Sequence, residues 1–566
     1  MENSLAIQNT QHIYDLVGIC AQFGVENAVV CPGSRCAPLL IGFGKHPDIE
    51  TISINDERSA GFVGLGLAQQ SGKPVVLACT SGTAALNFAP AVTEAFYQNV
   101  PLIVLTADRP PEWIDQWDGQ TIHQEKIYEP HLKGSFNYNE NNVKIGVEAL
   151  TLALDEAGGP VHLNIPIREP FYPESLDDNV LATETQRAQS KDKINKIENA
   201  VWIEFESILN SSAKVLVLGG QMEPNHELVE LLNELDVPII GDVISNLHGV
   251  NDVIYSSDLL LKHADESLSP DFLITFGRSV ISKNLKLFLR KHKPKHHWHI
   301  GLGMAGNPFQ SLTQTVAISP DVFFLEWIEK KQKNRLATKG TEIKRILNDK
   351  SAYSSSLLDQ QKMVNEKLRD LLEESDFNYF SAVKKVIQDL PKNSVLHLGN
   401  SMPVRIANFI GLNDSTIDVW CNRGTSGIEG VVSTAVGHAL AEPKRKHTLI
   451  VGDLSFFYDR NGLWLNHEFP TNLQIVILND SGGGIFNMIP GPSSQGHLTE
   501  LFTTQHQRTA KITAKEFNMN YQSASSIEEI TGWESGILEI FTDMKTNTET
   551  FRRITTKAPR HEEKQL

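Results

Sequence analysis

Short runs of β-branched and aliphatic residues recur along the chain. Each is closed by glycine, serine or aspartate, and the segments between them carry apolar residues at helical spacing. NAVVCPGS (27–34), ETISI (50–54), PVVLACTS (74–81), PLIVLTAD (101–108) and GPVHLNIP (159–166) make a first block, with helical patterns such as APAVTEAFYQNV between them. Continuous apolar strands alternating with helices predict parallel sheets covered on both faces, a doubly wound α/β fold. A smaller second block holds KVLVLGG (214–220), PIIGDV, DFLITFGRS (271–279) and HHWHIG (296–301). A third holds SVLHLGNS (394–401), TIDVWCNRG (416–424), HTLIVGDLS (447–455) and LQIVILND (473–480), and resembles the first in build. The polar stretch from Ile167 to about Ala200 predicts a linker, and KKQKNRLATKGTEIKR followed by SAYSSS a second separator. Single cores rarely exceed roughly 100–200 residues, so the 566 residues are expected to form three mostly parallel-sheet domains, 1–180, 195–335 and 350–566.

Composition narrows the function classes. Lys and Arg number 51 against 68 Asp and Glu, a net charge of −17, which argues against a general hold on nucleic acid or an anionic membrane. The start has no basic, then apolar leader pattern, and no stretch reaches the ~18 apolar residues of a membrane span. The five cysteines (Cys20, Cys31, Cys36, Cys79, Cys421) lack CxxC spacing, against a disulfide framework or zinc site. A cytoplasmic protein is expected. HKPKHHWH (292–299) lacks defined ligand spacing and reads as surface between a basic helix and a strand.

Ligands of open parallel sheets bind at the carboxyl ends of strands. There, Asp453 and Asp480 close successive runs, so two carboxylates can converge on a hard cation such as Mg²⁺. Gly482, Gly483 and Gly484 let backbone approach a ligand closely. Taken alone, Asp453 would equally cap a helix beginning near Tyr458. Glu57, at a strand-to-helix junction, could likewise serve only helix-start electrostatics. Four arginines also follow predicted strands: Arg35, Arg109, Arg405 and Arg423. Their planar forks suit carboxylates, and four exceed what a diphosphate requires.

GDLS (452–455), followed some 25 residues on by ND and glycine, resembles the metal–diphosphate motif of the thiamine-diphosphate (ThDP) enzymes, usually GDG followed by NN. CPGSR, DERSAGF, TADRPPEWID, GNSMPVR, NRGTSGIEG, GDLSFFYD and GGGIF, in that order, are similar to one family among them, the 2-succinyl-5-enolpyruvyl-6-hydroxy-3-cyclohexene-1-carboxylate (SEPHCHC) synthases of menaquinone biosynthesis. The likeness spans essentially the whole chain. It implies a pyrimidine-binding domain, a central domain without cofactor and a diphosphate-binding domain. The site is then shared between subunits of a homodimer or homotetramer.

The resemblance further implies a transferase that decarboxylates 2-oxoglutarate with ThDP and adds the remaining fragment to isochorismate, releasing CO₂. Glu57 would activate the aminopyrimidine and Ile428 would hold the cofactor bent. Gly452, Asp453, Leu454, Ser455, Asp480, Gly482 and Gly483 would take the diphosphate. Of these, Asp453, Asp480 and the Gly482 carbonyl would hold Mg²⁺ or Mn²⁺; Asp480 stands where an amide is usual. Ser34, Arg35, Arg109, Gln120, Lys283, Ser401, Arg405 and Arg423 would bind substrate, with Ile485, Phe486 and Ile489 lining the pocket. Asn284 stands where some relatives carry a cation. An acetolactate-synthase-like carboligase and a non-catalytic ThDP-fold regulatory subunit remain as alternatives.

Overall fold

The computed structural model describes residues 2–172, 197–337, 341–412, 414–489, 491–496, 499–533 and 535–556. Most of the linker expected before Ala200, residues 173–196, lies outside them. Three all-parallel sheets form the framework, as the apolar runs predict. The first contains β1 (Asn27–Val30), β2 (Glu50–Ser53), β3 (Val75–Cys79), β4 (Leu102–Asp108), β5 (Gly134–Asn137) and β6 (Val161–Pro166). The second has β7 (Val215–Gly219), β8 (Ile239–Gly241), β9 (Phe272–Phe276), β10 (His296–Ile300) and β11 (Gln314–Val316). The third has β12 (Val395–Leu398), β13 (Asp418–Trp420), β14 (His447–Gly452), β15 (Leu473–Asn479), β16 (Tyr521–Ala524) and β17 (Gly536–Phe541).

The first sheet runs β2-β1-β3-β4-β6-β5 and the third β13-β12-β14-β15-β17-β16, the same order when each is counted from its own first strand. The likeness of the two blocks is therefore topological. In both, adjacent strands register so that successive carboxyl ends stand side by side: Val30 pairs with Ala78, and Gly452 with Leu478. That brings the loops after β14 and β15, with Asp453 and Asp480, to one edge.

Two helices join these sheets. Glu57–Ser71 lies against Val431–Ala441, and both carry glycine at the crossing. A Cβ on Gly66 would stand 2.1 Å from the Thr434 carbonyl oxygen, and one on Gly437 2.1 Å from that of Val63. The two backbones touch, and Val63, Leu77, Val436 and Ile475 share one core across both domains.

Within the second separator, the helices Pro320–Ala337 and Thr341–Glu373 lie on either side of residues 338–340, which fall outside the described ones. One expectation is corrected. The HKPKHHWH segment is surface only at its start, where Lys293 and Lys295 are exposed. His296–Ile300 is a strand, and His297, Trp298 and His299 are buried. Thr275 Oγ1 lies 3.0 Å from a ring nitrogen of both His297 and His299, so strand alternation and a shared hydroxyl place imidazoles inside.

Candidate active site

Asp453 is the first residue of the helix Asp453–Asp459, directly after β14, and its side chain is buried. Its Oδ1 accepts from its neighbour's amide, Leu454 N, at 2.7 Å, and its Oδ2 from Gly482 N at 3.0 Å. The carboxylate therefore reaches across to the β15 loop and does not act as an N-cap. Asp480, also buried, accepts from Asn547 Nδ2 at 3.3 Å through Oδ2, while its Oδ1 has no hydrogen-bond partner. Burial, and then the charge of Asp480, pushes the Asp453 carboxyl up; burial does the same to Asp480.

Two buried, mutually repelling carboxylates with one oxygen unpartnered make an oxygen donor set of the kind a hard divalent cation satisfies. Gly482 sits at φ 153°, and a Cβ there would lie 2.6 Å from the Thr503 carbonyl oxygen, so only glycine shapes this turn. Beside Gly452 there is open space within 4 Å of where a Cβ would be, which leaves room for a ligand. Ser455 Oγ donates to the Ile428 carbonyl at 2.8 Å and so ties the cradle to the loop after β13. Ile428 itself is 40% exposed, an apolar side chain held out above the cradle. His506 was not foreseen: its Nε2 lies 3.2 Å from Asp453 Oδ2, and no motif around it signals this.

A second group adjoins the cradle. Ser401, at φ 75°, precedes the helix Met402–Ile410, and its carbonyl accepts from Arg405 Nη1 at 2.7 Å. Arg423 Nη1 donates to Asn400 Oδ1 at 3.2 Å; Asn400 Nδ2 in turn donates to the carbonyls of Asn422 and Gly427, each at 2.7 Å. Burial, then the Arg423 guanidinium, lowers the Arg405 pKa, so two like charges face one region and favour an anion between them. From the central domain, Lys283 opens the helix Lys283–Lys291 and is exposed, whereas Lys286 is half-buried with its pKa lowered by burial and then by Arg423. Asn284 is engaged with Asp258. Lys286 and Asn400 were not foreseen, although Asn400 lies inside the quoted GNSMPVR. Ile485 and Phe486 lie on the short helix Ile485–Met488 and Ile489 just after it; all three are half-buried.

A third group gathers at the carboxyl ends of the first sheet. Asp56 caps the helix by accepting from Arg58 N and Ser59 N, which leaves Glu57 as its first residue, half-buried and with its pKa raised chiefly by burial. The charge of Glu57 is the second cause, after burial, of the raised Cys31 thiol pKa, which places Glu57 by the end of β1. Arg35 is buried, donates to the Ile167 carbonyl at 2.5 Å and lies over the rings of Phe171 and Trp113. Burial and then Arg109 lower its pKa. Arg109 binds Asp118, Ser81 Oγ and the Gly119 carbonyl. Ser34 and Gln120 are exposed beside them, and Trp117 is fully exposed at 101%. Among the described residues no hydrogen bond or ion pair joins Glu57, Arg35 or Arg109 to the Asp453 cradle within the chain.

Residues 14–127 match the N-terminal TPP binding domain of thiamine pyrophosphate enzymes, and residues 188–398 their middle domain. The SEPHCHC synthase of Cytophaga hutchinsonii is 40% identical over 96% of this chain and 98% of its own length. The chain belongs to the SEPHCHC synthase family. Synthases of Flavobacterium psychrophilum (39% identical, 94% of this chain, 96% of theirs) and Phocaeicola vulgatus (34%, 96% and 97%) extend the likeness. This synthase fold carries a thiamine-diphosphate-binding domain. Among the described residues no helix is long and apolar enough to cross a membrane.

Proposed function

We propose that the chain is a SEPHCHC synthase: it decarboxylates 2-oxoglutarate and joins the four-carbon remainder to isochorismate by conjugate addition, releasing CO₂. The observation that carries this reading is the end-to-end likeness to synthases of that name, joined to a buried dicarboxylate pair and the Arg405–Arg423 pair of the same domain. Bound ThDP supplies the electron sink for loss of CO₂. Asp453, Asp480 and the Gly482 carbonyl would hold Mg²⁺ or Mn²⁺, Gly452, Leu454, Ser455 and Gly483 would receive the diphosphate, and Ile428 would support the cofactor. Glu57, with its carboxyl pKa raised by burial, would hold a proton toward the pyrimidine ring.

Arg35, Arg109, Arg405 and Arg423 orient substrate carboxylates, with Ser34, Gln120, Ser401 and Lys283 completing the polar contacts. Ile485, Phe486 and Ile489 keep the reacting carbons from water. The working unit is a homodimer or homotetramer in the cytoplasm, built from domains 1–180, 195–335 and 350–566, with Glu57 of one subunit serving the cradle of another. The exposed apolar side chains of Ile428 and Trp117 support that sharing.

The purified protein with ThDP, Mg²⁺, 2-oxoglutarate and isochorismate should consume isochorismate and release CO₂, with no turnover when any one is omitted. Glu57→Gln should lower kcat at least about a hundredfold while the protein still folds. Turnover of pyruvate in place of 2-oxoglutarate would replace this reading with an acetolactate-synthase-like one.

A further inference from the structure

We propose that Glu94, on the helix Ala89–Gln98 of the first domain, is the positioning residue that fixes Arg423 of the third domain for its substrate carboxylate. The proposal rests on the synthase reading for the identity of that substrate. Glu94 is fully buried. Its Oε1 accepts from Gly424 N at 2.8 Å, and its Oε2 from Thr425 N at 2.5 Å and Thr425 Oγ1 at 2.6 Å. Gln98 Nε2 adds a further donor to Oε1. Among the described residues no lysine, arginine or histidine pairs with it. A buried carboxylate without a cation is costly, and three of the four donors that offset the cost come from the two residues after Arg423.

The arrangement is specific to this loop. A Cβ on Gly424 would stand 2.9 Å from the Glu94 carbonyl oxygen and 3.0 Å from Oε2, so the loop backbone lies directly on the glutamate. On its other side the loop hangs from Asn400, which also receives the Arg423 guanidinium. The loop that carries Arg423 is thus held between Asn400 of its own domain and Glu94 on a helix of another. Gln98 extends the link, since its Oε1 accepts from Gln69 Nε2 at 3.1 Å and from Gln221 Nε2 at 3.0 Å; Gln221 also donates to the Cys421 carbonyl at 2.8 Å. The carboxylate therefore sits where all three domains meet and sets the loop that carries a substrate arginine. Binding groups displaced by about 1 Å lose much of their effect.

The test is a double-mutant cycle in the full-length enzyme with ThDP and Mg²⁺: Glu94→Gln and Thr425→Val, each alone and combined with Arg423→Lys. KM for both substrates, kcat, and amide exchange of residues 422–427 in substrate-free protein are the readouts. Glu94→Gln should speed exchange in that segment and raise the KM of the substrate that Arg423 holds on the order of tenfold. In the Arg423→Lys background it should add less than about twofold, because both changes act on one contact. An equal effect in both backgrounds, a lowered Tm and kcat with KM unchanged, or unchanged exchange would overturn the proposal.

If Glu94→Gln does not fold, Thr425→Val, which removes one donor and leaves the carboxylate, decides by the same criterion with about a threefold effect. If the wild type does not turn these substrates over, the synthase reading fails separately. Glu94 is then judged by exchange and by affinity for succinate, an unreactive dicarboxylate, and equal affinity in wild type and variant overturns it.

Discussion

Asp480 is the residue at which burial and charge conflict most openly. It is a carboxylate with one oxygen unpartnered, facing the equally buried Asp453, where related motifs carry an amide. Without a cation this pair is a liability, and in the metal site proposed above it would be the donor set. Asp480→Asn should therefore raise the Tm of the stripped protein by a few degrees, equivalent to about 1–3 kcal/mol for relieving an unsatisfied buried group. It should also shrink the further rise on adding Mg²⁺ and ThDP. Thermal unfolding with and without both additions measures this, and a larger Mg²⁺-dependent rise in the variant would contradict it. Residues like Asp453, Asp480 and Glu57 were legible because a charge at the end of an apolar run stands out. Glu94, Lys286 and His506 were not, because their roles come from contacts between elements far apart in sequence, and nothing in their local pattern differs from that of an ordinary helix or loop residue.

At the scale of elements, the crossing of Glu57–Ser71 on Val431–Ala441 sets how the first and third domains meet in the chain. Gly66→Ala forces a methyl group to within 2.1 Å of a carbonyl oxygen and cannot be absorbed by a side-chain rotation. It should destabilise by about 3 kcal/mol or more, seen as loss of soluble protein or a much lower Tm. Gly44, exposed in the helix Ala37–Lys45 with nothing within 4 Å of its Cβ position, is the control. Gly44→Ala should stabilise by about 0.5–1 kcal/mol. Gly61 and Gly64 of the helix Glu57–Ser71 likewise serve packing, since a Cβ would stand 2.8 Å from the Ala91 Cβ and 2.4 Å from Leu77 Cδ2, respectively. Long apolar strands were legible because period and bounding turns coincide. β5, β11 and β16 are three or four residues long and partly polar, so they carry too little pattern to separate them from loops. The helices after Pro320 were read only as a separator because charge dominates their local pattern.

Across the whole molecule, each of the three sheets buries a histidine with its pKa pushed down by burial. His162 on β6 is lowered to about 3, and His297 on β10 and His447 on β14 to about 4. Such a group is neutral when folded but takes up a proton near pH 6.5 when unfolded. The stability it contributes is therefore present above that pH and lost as pH falls toward the folded value. Asp242, between the central and third domains, is the opposite case. Burial raises its pKa to about 6, so its contribution is greatest below its unfolded value and is lost as pH rises through about 6. The two signs can be separated by variants. Relative to wild type, His162→Asn should cost most at pH 7, where it removes a neutral ring held by Thr106 and Ser135, and about 2 kcal/mol less at pH 5, given about 1.4 kcal/mol per pH unit for one proton. Asp242→Asn should become less stable relative to wild type as pH falls over the same interval. Thermal unfolding of the three proteins from pH 7 to pH 5 gives the slopes. Slopes parallel to that of wild type for both variants would mean that neither group titrates with folding.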